Sequence, residues 1–224
     1  MAQAEVAGVA GVAGVAGVAE AVGEPLSRRE RRKLEVRTRI LEAATELFDR
    51  DGFEATTVAA ISEKADVAHK TFFNHFPSKQ ELLREIASVA LESLLSNIEE
   101  ARKQPGSTRE RIHFFFERVA DNAQSAGPMR NELVTEVMHV AHVSRSEPEQ
   151  ARKLQAAFGS IILDGIERGD VTTRYEAETL IDTLKGAFYA LMFNWANLDD
   201  YPLRDQALST ARFLGEAIAA DPDR

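Results

Sequence analysis

Residues 56–82 read TTVAAISEKADVAHKTFFNHFPSKQEL, and the fold turns on this stretch. Its pattern predicts two short helices, 57–64 and 68–75, on either side of Asp66-Val67. Neither is long enough to be stable alone in water. The short connection forces them to cross steeply, which is the helix-turn-helix arrangement. Val58, Ile61, Ala65, Val67 and Phe72 supply a small shared core. His69, Lys70, Thr71, Asn74 and His75 are then left as polar groups on the second helix. In such a unit the second helix enters the major groove of DNA while the first braces it across the backbone.

Working outward, apolar residues recur at three and four, a helical period. Ile40, Leu41, Ala44, Leu47 and Phe48 form one stripe, and Leu83, Ile86, Ala90, Leu94 and Ile98 another. Later stripes are Ile112, Phe115, Phe116 and Val119, then Leu154, Phe158, Ile161 and Ile162, then Leu180, Leu184, Phe188, Leu191, Met192 and Trp195. No stretch alternates with period two. Ser78-x-x-Glu81, Ser107-x-x-Glu110 and Ser146-x-x-Glu149 read as capping boxes that open helices. Asp51-Gly52 ends the first long helix, with Gly52 suited to a left-handed cap. The expected fold class is all-α, with helices over 28–50, 57–64, 68–75, 79–103, 108–124, 129–142, 147–168, 176–198 and 203–219.

The chain has 224 residues and a net charge of −9, unevenly placed. The first 27 residues carry no base and repeat Val-Ala-Gly four times from Val6. No cation precedes that run, which argues against a secretory signal, and it is too short and glycine-rich to span a bilayer. Residues 1–26 therefore read as a disordered tail. Within 28–39, seven bases (Arg28, Arg29, Arg31, Arg32, Lys33, Arg37, Arg39) face only Glu30 and Glu35. An acidic body with one basic patch points to an anionic partner at that end. The absence of cysteine excludes a disulfide scaffold and thiolate-bound zinc, and it fits a cytoplasmic protein.

The residues from Ile40 to Leu82 resemble the TetR-type, or tetracycline-repressor-like, family of transcriptional regulators. The resemblance runs through Ile40-Leu41-x-x-Ala44-x-x-Leu47-Phe48, then Gly52-Phe53-x-x-Thr56-Thr57-Val58-x-x-Ile61 and Ala65-x-Val67. It closes with Phe72-Phe73-x-His75-Phe76 and Ser78-Lys79-x-Glu81-Leu82. Three positions depart from the family pattern. Asp66 stands where the turn usually carries Gly, Ala68 replaces a capping Ser, and Phe73 replaces a Tyr. Asp tolerates a left-handed turn, while the other two changes remove hydroxyls that could reach phosphate.

The resemblance implies a three-helix DNA-binding domain over 27–82, with its motif at 57–76. It also implies a helical effector-binding and dimerisation domain over 83–224. The expected partners are a double-stranded DNA operator, a small-molecule effector and a second copy of the chain, with no membrane. Lys70 suits guanine acceptors and Asn74 suits adenine, with His69 a weaker base reader. Thr71, His75 and Lys79 suit phosphate anchoring. His75 has a structural reading as well, beside Phe76. Arg28, Arg29, Arg31, Arg32 and Lys33 follow the backbone or enter the minor groove, or else form a solvated helix end.

In the C-terminal part, the low-lying candidates for an effector pocket are Phe115, Phe116, Met138, His139, His142, Phe158 and Trp195, with plain core packing as the alternative. Met129 and Phe193 fit the same two readings. Glu136-x-x-His139-x-x-His142 places three potential ligands on one helix side. Polar effector contacts, surface histidines and a metal all remain open there, and no fourth ligand is evident. Phe188, Leu191, Met192, Trp195, Phe213 and Leu214 are candidates for a two-fold interface. No nucleophile motif and no glycine-rich phosphate loop occurs, so neither a catalytic residue nor a cofactor is expected. The best reading is a ligand-responsive DNA-binding repressor released from a near-palindromic operator by a largely apolar effector. Its rivals are a helical adaptor that keeps the fold without reading DNA, and a helical metal- or cofactor-dependent enzyme.

Overall fold

The computed structural model describes residues 27–123, 128–142 and 148–220, with only the backbone described at 140–142 and 148. The tail at 1–26, the Ser146 cap and the His142 side chain lie outside the described residues. Among those described there are nine helices: α1 (Arg28–Asp51), α2 (Val58–Lys64), α3 (His69–His75), α4 (Lys79–Lys103), α5 (Thr108–Ala123), α6 (Arg130–His142), α7 (Pro148–Arg168), α8 (Ala177–Asn197) and α9 (Leu203–Ala217). The all-α expectation stands, and most helix ends fall within a residue or two of those read from the sequence.

Local chemistry sets these ends. Ser27 opens α1 with a full capping box: its hydroxyl accepts from the Glu30 amide, and the Glu30 carboxylate accepts from the Ser27 amide. The Ser-x-x-Glu signature for this box is present at 27–30, although the sequence reading used it only at later sites. Ser107 and Glu110 form a second full box. At Ser78 only half forms, because Glu81 turns to pair with Arg84. Gly52, at φ 83°, closes α1 in a conformation that L side chains rarely adopt.

Two compact units result. Of the described residues, the first takes in 27–91 together with 128–137. Its core is Ile40, Leu41, Ala44, Leu47, Phe48, Phe53, Ile61, Ala65, Phe72, Phe76, Leu82, Leu83 and Met129. Val58 and Val67 are partly buried against it. Met129 thus fills the core of the helix-turn-helix unit rather than a pocket wall, and Leu133 packs, partly buried, against the same core. The start of α6, assigned from sequence to the effector domain, belongs by packing to this unit.

Of the described residues, the second unit comprises 92–123, 138–142 and 148–220. Here α5 lies closest to α9, where Ala207, Ala211 and Gly215 are buried on one stripe. A Cβ at Gly215 would come within 2.6 Å of the Arg109 side chain, so this approach requires glycine. Asp170 accepts from the Thr108 amide at 2.8 Å and its hydroxyl at 2.7 Å, capping α5 from the far end of α7. An antiparallel bridge, Val171 to Ala219, pins the residues after α9 to the same turn. Arg102 on α4 reaches Asp164 on α7 at 2.7 Å.

Candidate nucleic-acid interface

The turn between α2 and α3 is built around Asp66, at φ 52°. That is the left-handed region, which Asp enters more readily than most residues. The Val67 amide donates to the Ser62 carbonyl at 3.0 Å and closes the turn. Thr57 caps α2 by accepting from the Ala60 amide. Ala68 precedes α3 and offers no side-chain cap, so the first turn of the short helix relies on packing.

That packing is supplied by Phe72 and Phe76, both almost completely buried. With these two rings inward, His69, Lys70, Phe73 and Asn74 share the exposed face of α3, and Thr71 flanks them half-buried. The candidate base readers therefore stand together on one side.

Arg37 on α1 holds the far end of α3. Its guanidinium donates to the His75 carbonyl at 3.1 Å, pairs with Glu85 at 2.9 Å and lies over the Phe76 ring at 4.4 Å. Sequence reasoning counted Arg37 among the bases of the patch and missed this clamp, for which spacing carries no signal. His75 itself is half-buried, with Nδ1 enclosed and lacking a hydrogen-bond partner. Burial pulls its imidazole below the ordinary value of 6.5, and the charges of Arg37 and Lys33 push the same way. This environment favours the structural reading of His75.

Lys79 corrects an expectation. Its ammonium turns inward, donating to the carbonyls of Phe53 at 2.6 Å and Thr56 at 3.0 Å, with Glu54 at 3.5 Å. It also lies over the Phe53 ring at 4.2 Å. An ammonium has three protons, and three carbonyls surround them, so Lys79 leaves the set offered to phosphate. By contrast, Arg28, Arg29, Arg31, Arg32 and Lys33 are all exposed. They stand on the first turns of a capped helix, not on a loose arm.

The pocket candidates separate. Phe115, Phe116 and Phe158 are fully buried in the second unit, and Phe115, Phe158 and Phe188 meet pairwise at 5.5–5.7 Å between ring centres. Trp195 and Met138 are partly buried, and His139 is exposed. Glu136 sits in the first unit, 8% exposed, and accepts from Arg84 at 3.1 Å and Gln80 at 3.0 Å. Its charge is thus neutralised inside that unit, which removes it from the expected group with His139 and His142. Among the described residues no cluster of three metal-ligating side chains occurs, and no helix is long and apolar enough to cross a membrane.

A family model for bacterial regulatory proteins of the tetR family matches residues 40–86, the segment that holds this interface. Residues 40–86 thus carry the segment that defines the TetR family. Among similar proteins, the transcriptional repressor KstR of Mycolicibacterium smegmatis is 30% identical over 141 residues, 62% of this chain and 66% of that protein. The chain thus spans just under two thirds of that relative. The ketosteroid transcriptional regulator KstR2 of Mycobacterium tuberculosis shares the fold at a TM-score of 0.58 and 16% identity, covering 89% of this chain and 99% of that one. So does FadR of Thermus thermophilus, a repressor solved with lauroyl-CoA. It has a TM-score of 0.55 and 23% identity, covering 83% and 97% of the two chains.

Proposed function

We propose that this chain is a ligand-responsive transcriptional repressor that binds an operator as a homodimer. The observation that carries the reading is the exposed face of α3. His69, Lys70 and Asn74 stand there side by side on a helix fixed by two buried rings and the Arg37 clamp. Lys70 donates to guanine O6 and N7, and Asn74 pairs with adenine N6 and N7. Thr71 and the exposed bases of α1 meet phosphate, which sets register without sequence information.

The second unit takes the effector. Its aromatic cluster of Phe115, Phe116 and Phe158 suits an apolar body, Trp195 is a further candidate for its wall, and His139 suits a polar end. Two proteins of similar fold support such a ligand: one is a ketosteroid transcriptional regulator, and the other was solved with lauroyl-CoA. The exposed apolar residues Phe193 and Phe213, on α8 and α9, supply the two-fold interface. Phe188, Leu191 and Leu214, expected there from sequence, spend their burial inside the unit.

Selection of bound duplexes from a random pool by the purified chain tests the reading. A near-palindromic site should emerge, and an organic-solvent extract of cells should release it. Recovery of a pool no different from the input would defeat the proposal and favour an adaptor that keeps only the fold.

A further inference from the structure

The exposed face of α3 carries one large apolar side chain, Phe73, which is 44% exposed. A lone aromatic on a protein surface calls for no explanation in itself. This one stands in line with Lys70 and Asn74, on the face that the proposed function turns toward the base edges. Its ring is also held. His69, one turn earlier on the same stripe, meets it edge-on at 5.0 Å, and the fully buried Phe72 meets it at 5.3 Å and 81°. The ring cannot swing aside without losing both contacts. Phe lacks a hydroxyl, so it offers a phosphate nothing. The apolar group that a base pair presents in the major groove is the 5-methyl of thymine.

We propose that Phe73 is a specificity-determining residue that reads the 5-methyl group of one thymine in each operator half-site, with His69 and Phe72 holding its ring in place. The inference rests on the DNA-reading function proposed above. It adds an apolar reader to a face otherwise made of hydrogen-bonding groups. Recognition by burial of a methyl group has a distinct signature, because no donor or acceptor on the base takes part.

Uracil differs from thymine only by that methyl, so the test is a uracil scan. Each thymine of one selected half-site is replaced singly by uracil, and affinity for the full-length protein is measured. At one position the loss should be about three- to fivefold, the worth of one buried methyl, with the other thymines near unity. Phe73→Ala should bind the thymine and uracil duplexes equally at that position, while Phe73→Leu keeps part of the difference. The far-ultraviolet circular dichroism of both variants, matching wild type, shows that the protein is still folded. A wild-type protein indifferent to uracil at every thymine overturns the inference and leaves operator binding standing, as does a Phe73→Ala protein with undiminished discrimination. If no duplex is enriched at all, the DNA-reading function fails and this inference with it.

Discussion

Lys79 Nζ donates inward to backbone carbonyls that follow α1, and this gives the residue a role in stability. Lys79→Ala removes charge-assisted hydrogen bonds and strands those carbonyls, at a cost of about 2 kcal/mol in denaturant unfolding. The salt dependence of DNA binding should stay the same, because no phosphate contact is lost. Removing Arg28, Arg29, Arg31, Arg32 and Lys33 should do the reverse, flattening the salt slope with little change in stability. From sequence, Lys70 and Lys79 look alike, each a lysine flanked by polar residues. What separates them is where the backbone carbonyls of 53–56 fall, and periodicity does not report that. His75 differs in another way, because its folded-state affinity for protons is lowered. The unfolded chain then binds the proton more readily, so the stability His75 contributes is full above pH 6.5 and drains away as pH falls toward its folded value. Unfolding midpoints measured across pH 5–8 for wild type and His75→Gln should show this slope in the first and a shallower one in the second.

At the scale of elements, the weak point of the head is the start of α3, seven residues with no side-chain cap. Ala68→Ser should supply the missing acceptor and add about 1 kcal/mol. It should also tighten binding to specific and random DNA alike, since a hydroxyl at a helix start reaches phosphate rather than a base. Calorimetric melting and two binding titrations check both halves of this. Thr57→Ala, which deletes the working cap on α2, should cost a similar amount. Elements were the most legible level of this protein. Capping signatures, apolar spacing and Gly52 carry their information within a few residues, so the ends of α1 to α5 could be read almost as they stand. The tolerance of Asp66 for a left-handed turn was legible for the same reason. The allegiance of α6 was not. Met129 looks like any methionine near a run of effector-domain helices, and only packing assigns it to the core beneath α1.

At the scale of the whole molecule, Phe213 and Phe193 are 67% and 58% exposed and lie on neighbouring helices of the second unit. A two-fold pairing through them predicts a dimer at micromolar concentration in sedimentation. The double variant Phe193→Glu, Phe213→Glu should sediment as a folded monomer and lose operator affinity, because two heads no longer bind as one. A wild-type monomer would contradict the pairing. Effector and operator, if coupled, must weaken each other by the same factor, which calorimetry with and without DNA measures directly. The aromatic core around Phe115 was legible as buried helix faces, but a ligand's wall and a filled core share one spacing, so sequence could not choose between them. One further consequence concerns the order in which the chain is made. The first unit draws its last residues from the start of α6, so its core is complete once Val137 has emerged from the ribosome. The second cannot close until α9 exists to cover α5 and the bridge at Ala219 can form. At ordinary translation speeds that leaves an interval of roughly 4–16 s. During it, a reading head can already be folded while the unit proposed to regulate and pair it is still being synthesised, so a message broken in that interval yields a head without its control.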